Sequence, residues 1–412
     1  MKPNLCKHKD CTGCGVCAAS CHRNAITMHY DKKGFLAPKV DNDLCIGCHT
    51  CENKCPVLNI KKFLFIPPSP KHIKVYTAWS VKQDLCMKSS SGGVFSQLAE
   101  DFLMLDKSFV SGVEQEKGQN TCRHIVIFNR DDLDRILGTR YVQSDASSCY
   151  SMIKKLLKNG YQGLFVGTPC QIAGLKSFIG DGSLNENLYC CEILCHGVTS
   201  KLSVDLMCRI KGASWISSYR NKRDGWCVIT SKGRSPKSQC CTYEKNDGTS
   251  ETESHSSDIF YKCFGAFHRT SCYHCMFAKP ERLADITLGD QWGAIKKYQT
   301  RLSLGASLVI ANSAKGERLL ATSPYLSLHK EALNSVNAYP YFYPAVNCTA
   351  NLSWLLPMMK HLPNSFIQRI MTNDLRHLWI LFIHRIILKI GSNLHERRRK
   401  VVIKKTQKKY EW

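Results

Sequence analysis

Eight cysteines near the start of this chain stand at spacings that few chemistries use. Cys11, Cys14, Cys17 and Cys21 read C-x2-C-x2-C-x3-C, and Cys45, Cys48, Cys51 and Cys55 repeat the pattern, with Pro56 closing the second run. Three cysteines at such spacing wrap a tight loop around one face of an iron–sulfur cubane, while the fourth reaches the neighbouring cluster. The expected sets are therefore Cys11, Cys14, Cys17 and Cys55 for one 4Fe–4S cluster, and Cys45, Cys48, Cys51 and Cys21 for the other. Gly13, Gly15 and Gly47 suit backbone folded closely against a cluster. His22 follows the first run where proline is usual, which leaves the ligands intact. Two zinc sites built from C-x2-C pairs are the bland alternative, but zinc does not need four cysteines in this order twice. Cys6 has no assignment.

Further along, four stretches carry site chemistry. Ser89-Ser90-Ser91-Gly92-Gly93 precedes a helical pattern, so its amides could cradle a phosphate; an ordinary glycine-rich helix start is the plain alternative. Gly167-Thr168-Pro169-Cys170-Gln171 reads as a strand-to-helix turn that puts a cysteine in the first helical turn, where the helix dipole favours a thiolate. Cys195-His196-Gly197 follows a strand-like run, and Cys272 and Cys275 form a C-x2-C pair with Asp285 and Asp290 beyond it. Cys170, Cys195, Cys272 and Cys275 are the inventory for a third 4Fe–4S cluster. Buried structural thiols or a Cys/His zinc site are the other readings of these residues. Gly13 to Ala18 formally matches a dinucleotide fingerprint, but no strand precedes it and its cysteines are already committed.

The elements that must position these residues follow from pattern and punctuation. The chain has 412 residues, too many for one compact core, and 24 cysteines. A ferredoxin-like module is expected over residues 1–60. Pro67, Pro68 and Pro70 mark a linker over 61–74, and a larger domain covers 75–350, with parts at about 75–155 and 156–350. Strands are expected at Val75–Trp79, Ile125–Phe128, Leu164–Val166, Leu188–Leu194, Ile286–Leu288 and Leu308–Ile310. Helices are expected at Val94–Leu105, Tyr150–Leu157, Leu202–Ile210 and around Gly316–Leu320. The region from Ser231 to Asp258 reads as a long exposed loop or hairpin. The alternation predicts an α+β (mixed α/β) fold: a small bacterial-type ferredoxin module followed by a larger flavin and iron–sulfur domain.

The ordered set of motifs resembles a known family. Ser89–Gly93, Arg140-Tyr141-Val142-Gln143-Ser144, Gly167–Gln171, Cys195–Val198, Ser271–Cys275 and Arg282–Gly293 occur in the order found in the beta subunits of the coenzyme F420-reducing hydrogenases and dehydrogenases. The resemblance covers roughly residues 1–310, including the fused two-cluster ferredoxin. It implies an FAD-containing iron–sulfur oxidoreductase, strengthens the third-cluster reading, and puts the flavin near Ser89, Ser90, Ser91, Gly92, Gly93, Tyr141, Ser144, Gly167, Thr168 and Gln171. Relatives reduce a deazaflavin or chlorophyll precursors, and bacterial members with this organisation are often associated with extracellular polysaccharide synthesis. The substrate does not carry over. His196, Asp285 and Asp290 are the candidate catalytic residues, as proton donors or ribityl partners.

The expected activity is passage of electrons from a ferredoxin-type donor protein through the clusters to FAD, then to a small organic acceptor. A relay subunit of a larger complex that performs no substrate chemistry is the alternative. The polar start and the absence of a long apolar run point to a reducing cytoplasm. The formal net charge of +24 is reduced by about 4 to 6 if two or three clusters are present. The remaining excess lies in a basic extension at 351–412, where Leu375–Ile390 and the lysines and arginines from Arg397 onward suit peripheral contact with the inner face of a membrane. No nucleic-acid partner is expected, since the basic residues are not interleaved with aromatics.

Overall fold

The computed structural model describes residues 3–63, 73–180, 182–222, 224–230, 233–254, 257–263, 265–279, 282–292, 295–332 and 353–371. The proline cluster at 67–70 and the basic stretch from Leu375 lie outside the described residues.

In the N-terminal module two short strands, β1 (Ile26–Tyr30) and β2 (Leu36–Val40), pair antiparallel. Asp31 makes the turn between them, its Oδ1 accepting from the amides of Lys33 at 2.8 Å and Phe35 at 3.0 Å. Gly34 completes the turn with φ +78°, and a Cβ there would come within 2.4 Å of the Leu202 amide nitrogen. The hairpin therefore docks tip-first on the helix Lys201–Ile210, where the Lys201 amide donates to the Gly34 carbonyl at 2.9 Å.

The larger part is built on β3 (Lys74–Ser80), β4 (Ser108–Gln115), β5 (Cys122–Ile127), β6 (Ser144–Asp145), β7 (Gln162–Gly167) and β8 (Leu188–Ile193). An excursion follows, with β9 (Ala213–Ser218), β10 (Cys227–Thr230), β11 (Gly233–Pro236), β12 (Thr242–Lys245) and β13 (Ser250–Thr252). The chain then returns through β14 (Ile286–Asp290), β15 (Ser307–Ala311) and β16 (Leu326–Glu331). The main sheet has the order β16-β3-β15-β14-β8-β7-β4-β5-β6. Its central strands β14, β8, β7 and β4 run parallel, flanked on both sides by antiparallel pairs.

Apolar residues alternate across this sheet with the period of two that a pleated strand requires. Val110, Leu164, Cys191 and Ile286 pack on one face with the helix Val94–Phe102. Phe109, Phe165, Cys190 and Leu188 pack on the other with the helices Ser147–Lys158 and Pro169–Ile179, and that core also takes in Cys14 and Val16 of the N-terminal module. The two modules thus share one core. A third core joins Lys201–Ile210, β9, β12 and the short helices Leu356–Met359 and Asn364–Met371.

The mixed α/β class holds, and the expected strands and helices at 75–79, 94–105, 150–157, 164–166, 188–194, 202–210, 286–288 and 308–310 all correspond to elements. The region 231–258 contributes short paired strands, as a hairpin would, but it is not the exposed segment expected: β12 pairs with β9, and Cys241 and Tyr243 are fully buried in the third core. β4, which pairs with β5 and β7 in the middle of the sheet, was not among the expected strands, because Ser111 and Gly112 interrupt its apolar run. Gly112 is there to let the Ile136 side chain lie against the strand, since a Cβ would meet it at 2.9 Å.

Candidate functional site

Parallel strands point their carboxyl ends the same way, and loops leaving that edge diverge and open a crevice. Here the residues singled out from the sequence collect along that edge: Gly167-Thr168 after β7, Cys195 after β8, and Asp290 at the end of β14. Thr168 caps the helix Pro169–Ile179 through a reciprocal capping box with Gln171, which fixes where Cys170 leaves the strand.

Three groups of four cysteines each surround a cavity. Cys11, Cys14, Cys17 and Cys55 line the first, with Cys6 as a fifth thiol hydrogen-bonded to Cys55. Cys21, Cys45, Cys48 and Cys51 line the second, which is the outer one, Cys48 being exposed. Cys170, Cys195, Cys272 and Cys275 line the third, together with Thr12, Gln143 and His196. These groupings match the crossed pattern expected from the spacing. Among the described residues no three His, Cys, Asp or Glu side chains converge on a single metal ion. Four thiols around a void are a donor set that an iron–sulfur cluster takes.

Burial pushes the Cys17 and Cys272 thiols up to about 12 and Cys275 up to about 11, and holds Cys14 and Cys195 well above their ordinary range. Neighbouring cysteines raise them further. Such groups become thiolates only when cations stand among them, which iron supplies.

Two of the three cavities share a wall. Thr12 lines both the first and the third. The joint is hydrogen-bonded throughout: Gln143 donates to the Thr12 carbonyl at 2.7 Å, and Arg269 donates to the carbonyls of Leu36 at 2.6 Å and Cys11 at 3.2 Å and to Gln143 Oε1 at 2.8 Å. Ser271 Oγ donates to the Cys11 carbonyl at 3.0 Å, and Tyr150 OH donates to those of Cys14 and Gln171 at 2.9 and 3.0 Å. Gly174 is a further point where the two modules lie close, since a Cβ would stand 3.3 Å from Cys14 Sγ.

Beyond the third group lies the largest of these cavities, about 320 Å³, with which it shares Gln143 and Val198. That volume is at the lower end of the range for small-molecule sites. The cavity walls include Ser89, Ser90, Ser91, Gly93, Tyr141, Ser144, Gly167, Thr168 and Gln171, together with Asp290. Gly92 belongs to the same loop; a Cβ there would stand 2.6 Å from the Ala78 carbonyl oxygen and 2.8 Å from the Ser307 amide, so nothing larger than glycine lets the loop close onto the sheet.

The three candidate catalytic residues separate. Asp290 lines the large cavity and pairs with Arg220 at 2.7 Å. His196 lines the third cysteine cavity instead. Asp285 is turned into the fold, its carboxylate accepting from the Cys190 amide at 2.9 Å and from Ser313 Oγ at 2.8 Å. Asp285 thus joins β8 to the start of the helix Ala314–Thr322, a structural duty that explains its burial.

Sequence reasoning missed Arg220, Arg269 and Tyr150. The two arginines are buried, Arg220 with 6% and Arg269 with 3% exposure, and Arg220 keeps its Nε without a hydrogen-bond partner while lining the cavity. A buried donor left open beside a cavity suits an anionic or carbonyl-bearing ligand, and largely apolar walls with donors at one end fit a flavin nucleotide, whose ring is flat and apolar and whose phosphate is anionic. Tyr141 is held above its ordinary range chiefly by burial, so its phenol stays protonated in this cavity.

Two segments of the chain match known families. Residues 10–59 match the 4Fe-4S dicluster domain, and residues 162–330 match the C terminus of the beta subunit of coenzyme F420 hydrogenase/dehydrogenase. No curated protein matches. Among solved structures, a chain of the F420-reducing [NiFe] hydrogenase complex from Methanosarcina barkeri is similar at 13% identity and TM-score 0.42, covering 73% of this chain and 88% of that one.

Proposed function

Taking as premise that this chain joins a 4Fe–4S dicluster domain to the C-terminal domain of the coenzyme F420 hydrogenase/dehydrogenase beta subunits, we propose that it is an iron–sulfur flavoprotein oxidoreductase. Its role is redox and electron-transferring, with the N-terminal cysteines holding two clusters. The finer reading adds a third cluster on Cys170, Cys195, Cys272 and Cys275, and FAD in the large cavity. The single observation that carries it is the run of three adjoining cavities, the first sharing Thr12 with the third, and the third sharing Gln143 and Val198 with the large one.

When bound, the clusters supply one-electron transfer and the flavin supplies conversion of two electrons into a hydride equivalent. The chain's own residues do the rest. Cys21, Cys45, Cys48 and Cys51 hold the outermost iron at a surface where a donor protein can approach. Arg269, Gln143 and Ser271 fix the joint and exclude water from it. Ser89–Gly93, Thr168 and Gln171 position the ligand of the large cavity, Arg220 faces its polar part with Asp290 holding the guanidinium in place, and Tyr141 offers a proton from a neutral phenol. The acceptor is a small organic molecule; its assignment to polysaccharide assembly rests on the family resemblance. All 23 described cysteines are free thiols, which suits a reducing cytoplasm. Among the described residues no helix is long and apolar enough to cross a membrane.

Reduced ferredoxin added to the protein, prepared without oxygen, should bleach bound flavin, and Cys195→Ser should stop the bleaching while leaving the flavin in place. Bleaching at the same rate in that variant would remove the third cluster from the path.

A further inference from the structure

A lysine that does not line the large cavity shapes its polar end. Lys222 is 5% exposed, and its ammonium donates to three main-chain carbonyls: Cys86 at 2.5 Å, Leu304 at 2.6 Å, and Ser91. Trp226, fully buried, donates from Nε1 to the Ser90 carbonyl at 3.2 Å, and the Ser80 amide donates to that of Gly92 at 2.8 Å. Three successive carbonyls are thereby drawn to partners outside the cavity wall. The Ser89 and Gly92 amides and the Ser89 and Ser91 hydroxyls donate within the fold, so what the loop leaves to the cavity is the amides of Ser90, Ser91 and Gly93 and the Ser90 hydroxyl.

The helix Val94–Phe102 starts at this point from Gly93, at φ +80°, with no side chain capping it. The first amides of a helix have no acceptor within it. Opposite stands Arg220, nine-tenths buried, with its Nε open, and Arg140 Nε is likewise without a partner. Donors converge here from a loop, a helix start and two guanidinium groups.

We propose that Ser89–Gly93 is an anion cradle for a phosphate or diphosphate ester, and that Lys222 is the positioning residue that turns its carbonyls away and places a positive charge behind it. The inference deepens the flavin reading and rests on it for the choice of ligand. Lys222 acts through the loop and touches no ligand itself.

A consequence is proton linkage. Burial brings the Lys222 ammonium down to about 7. Arg220 and Arg301 push the same way, while Cys86 and Asp290 oppose them. An anion in the cradle favours the charged ammonium, so the ligand is held more tightly below pH 7 than above it.

The test is equilibrium binding of FAD, FMN, riboflavin, ADP and inorganic pyrophosphate to cluster-loaded, flavin-depleted protein from pH 6 to pH 8, for wild type, Lys222→Met and Lys222→Arg. The iron–sulfur absorbance of each variant checks that the fold is kept. Wild type should lose about tenfold in affinity for the phosphorylated ligands over that range, the span expected for one group titrating near 7. Riboflavin should show no such slope. Lys222→Arg should keep the affinity and lose the slope, and Lys222→Met should lose both. A slope that persists in Lys222→Met, or one equal for riboflavin, overturns the proposal. Pyrophosphate or ADP binding with the Lys222 slope, but no flavin binding, would keep the cradle and sink the flavin reading. Flavin binding that ignores both phosphate and Lys222 would do the reverse.

Discussion

Replacing Arg269 with methionine should make two cluster sites harder to reduce and leave the outer one alone. Its guanidinium is 3% exposed and stacks 5.2 Å from the Phe35 ring. It lowers the thiol pKa of Cys11, Cys170 and Cys272, so its charge is felt by the first and third cysteine groups. A unit charge about 7 Å from a centre, at an effective dielectric of about 20, is worth about 2 kcal/mol, or roughly 80 to 100 mV for one electron. Loss of a cation disfavours the more negative reduced state, so both midpoints should fall by that order. The three hydrogen bonds to Leu36, Cys11 and Gln143 also go, at about 3 kcal/mol of stability. Arg269→Lys should keep most of the potential but lose stability, because an ammonium cannot reproduce the planar fork. Electron paramagnetic resonance during a redox titration resolves the centres. Unchanged midpoints, or an equal shift at the Cys21, Cys45, Cys48 and Cys51 centre, would refute the placement of this charge.

Gly92→Ala should prevent the serine loop from closing and abolish flavin binding while iron content stays unchanged, since the added Cβ meets main-chain atoms of Ala78 and Ser307; absorbance of the purified variant decides it. Tyr150→Phe should cost about 1 to 2 kcal/mol in denaturant unfolding, through loss of bonds to the Cys14 and Gln171 carbonyls. His124 is fully buried between the Val166 carbonyl and Ser144 Oγ, and burial lowers it to about 4. The unfolded chain then takes up a proton near pH 6.5 that the folded one refuses until about 4, so stability is lost as pH falls through that window, by at most about 3 kcal/mol. His124→Phe should flatten that part of the stability profile.

The sequence reading located the chemistry better than the architecture. Cysteine spacing alone grouped Cys11, Cys14 and Cys17 with the distant Cys55, because the crossed ligand rule is local geometry applied twice. Gly167 to Gln171 announced a strand-to-helix turn, and the structure adds a capping box that the sequence reading did not expect. The order of nine strands was not legible, since β3 lies between β15 and β16 only through pairings more than 200 residues apart. Arg269 and Lys222 were invisible for a related reason: each is an ordinary basic residue whose partners come from remote loops. Asp285 and Asp290, five apart, looked equivalent, yet one faces the fold and the other the cavity because they stand at opposite ends of β14.

Three cysteine groups and one large cavity are proposed to form a single redox line. Iron, sulfide and flavin content per chain, measured on protein purified without oxygen, tests it most directly. About 12 iron atoms and one FAD are predicted, falling to about 8 iron atoms in Cys170→Ser. About 8 iron atoms and no flavin in the wild-type protein, unchanged by that substitution, would contradict it.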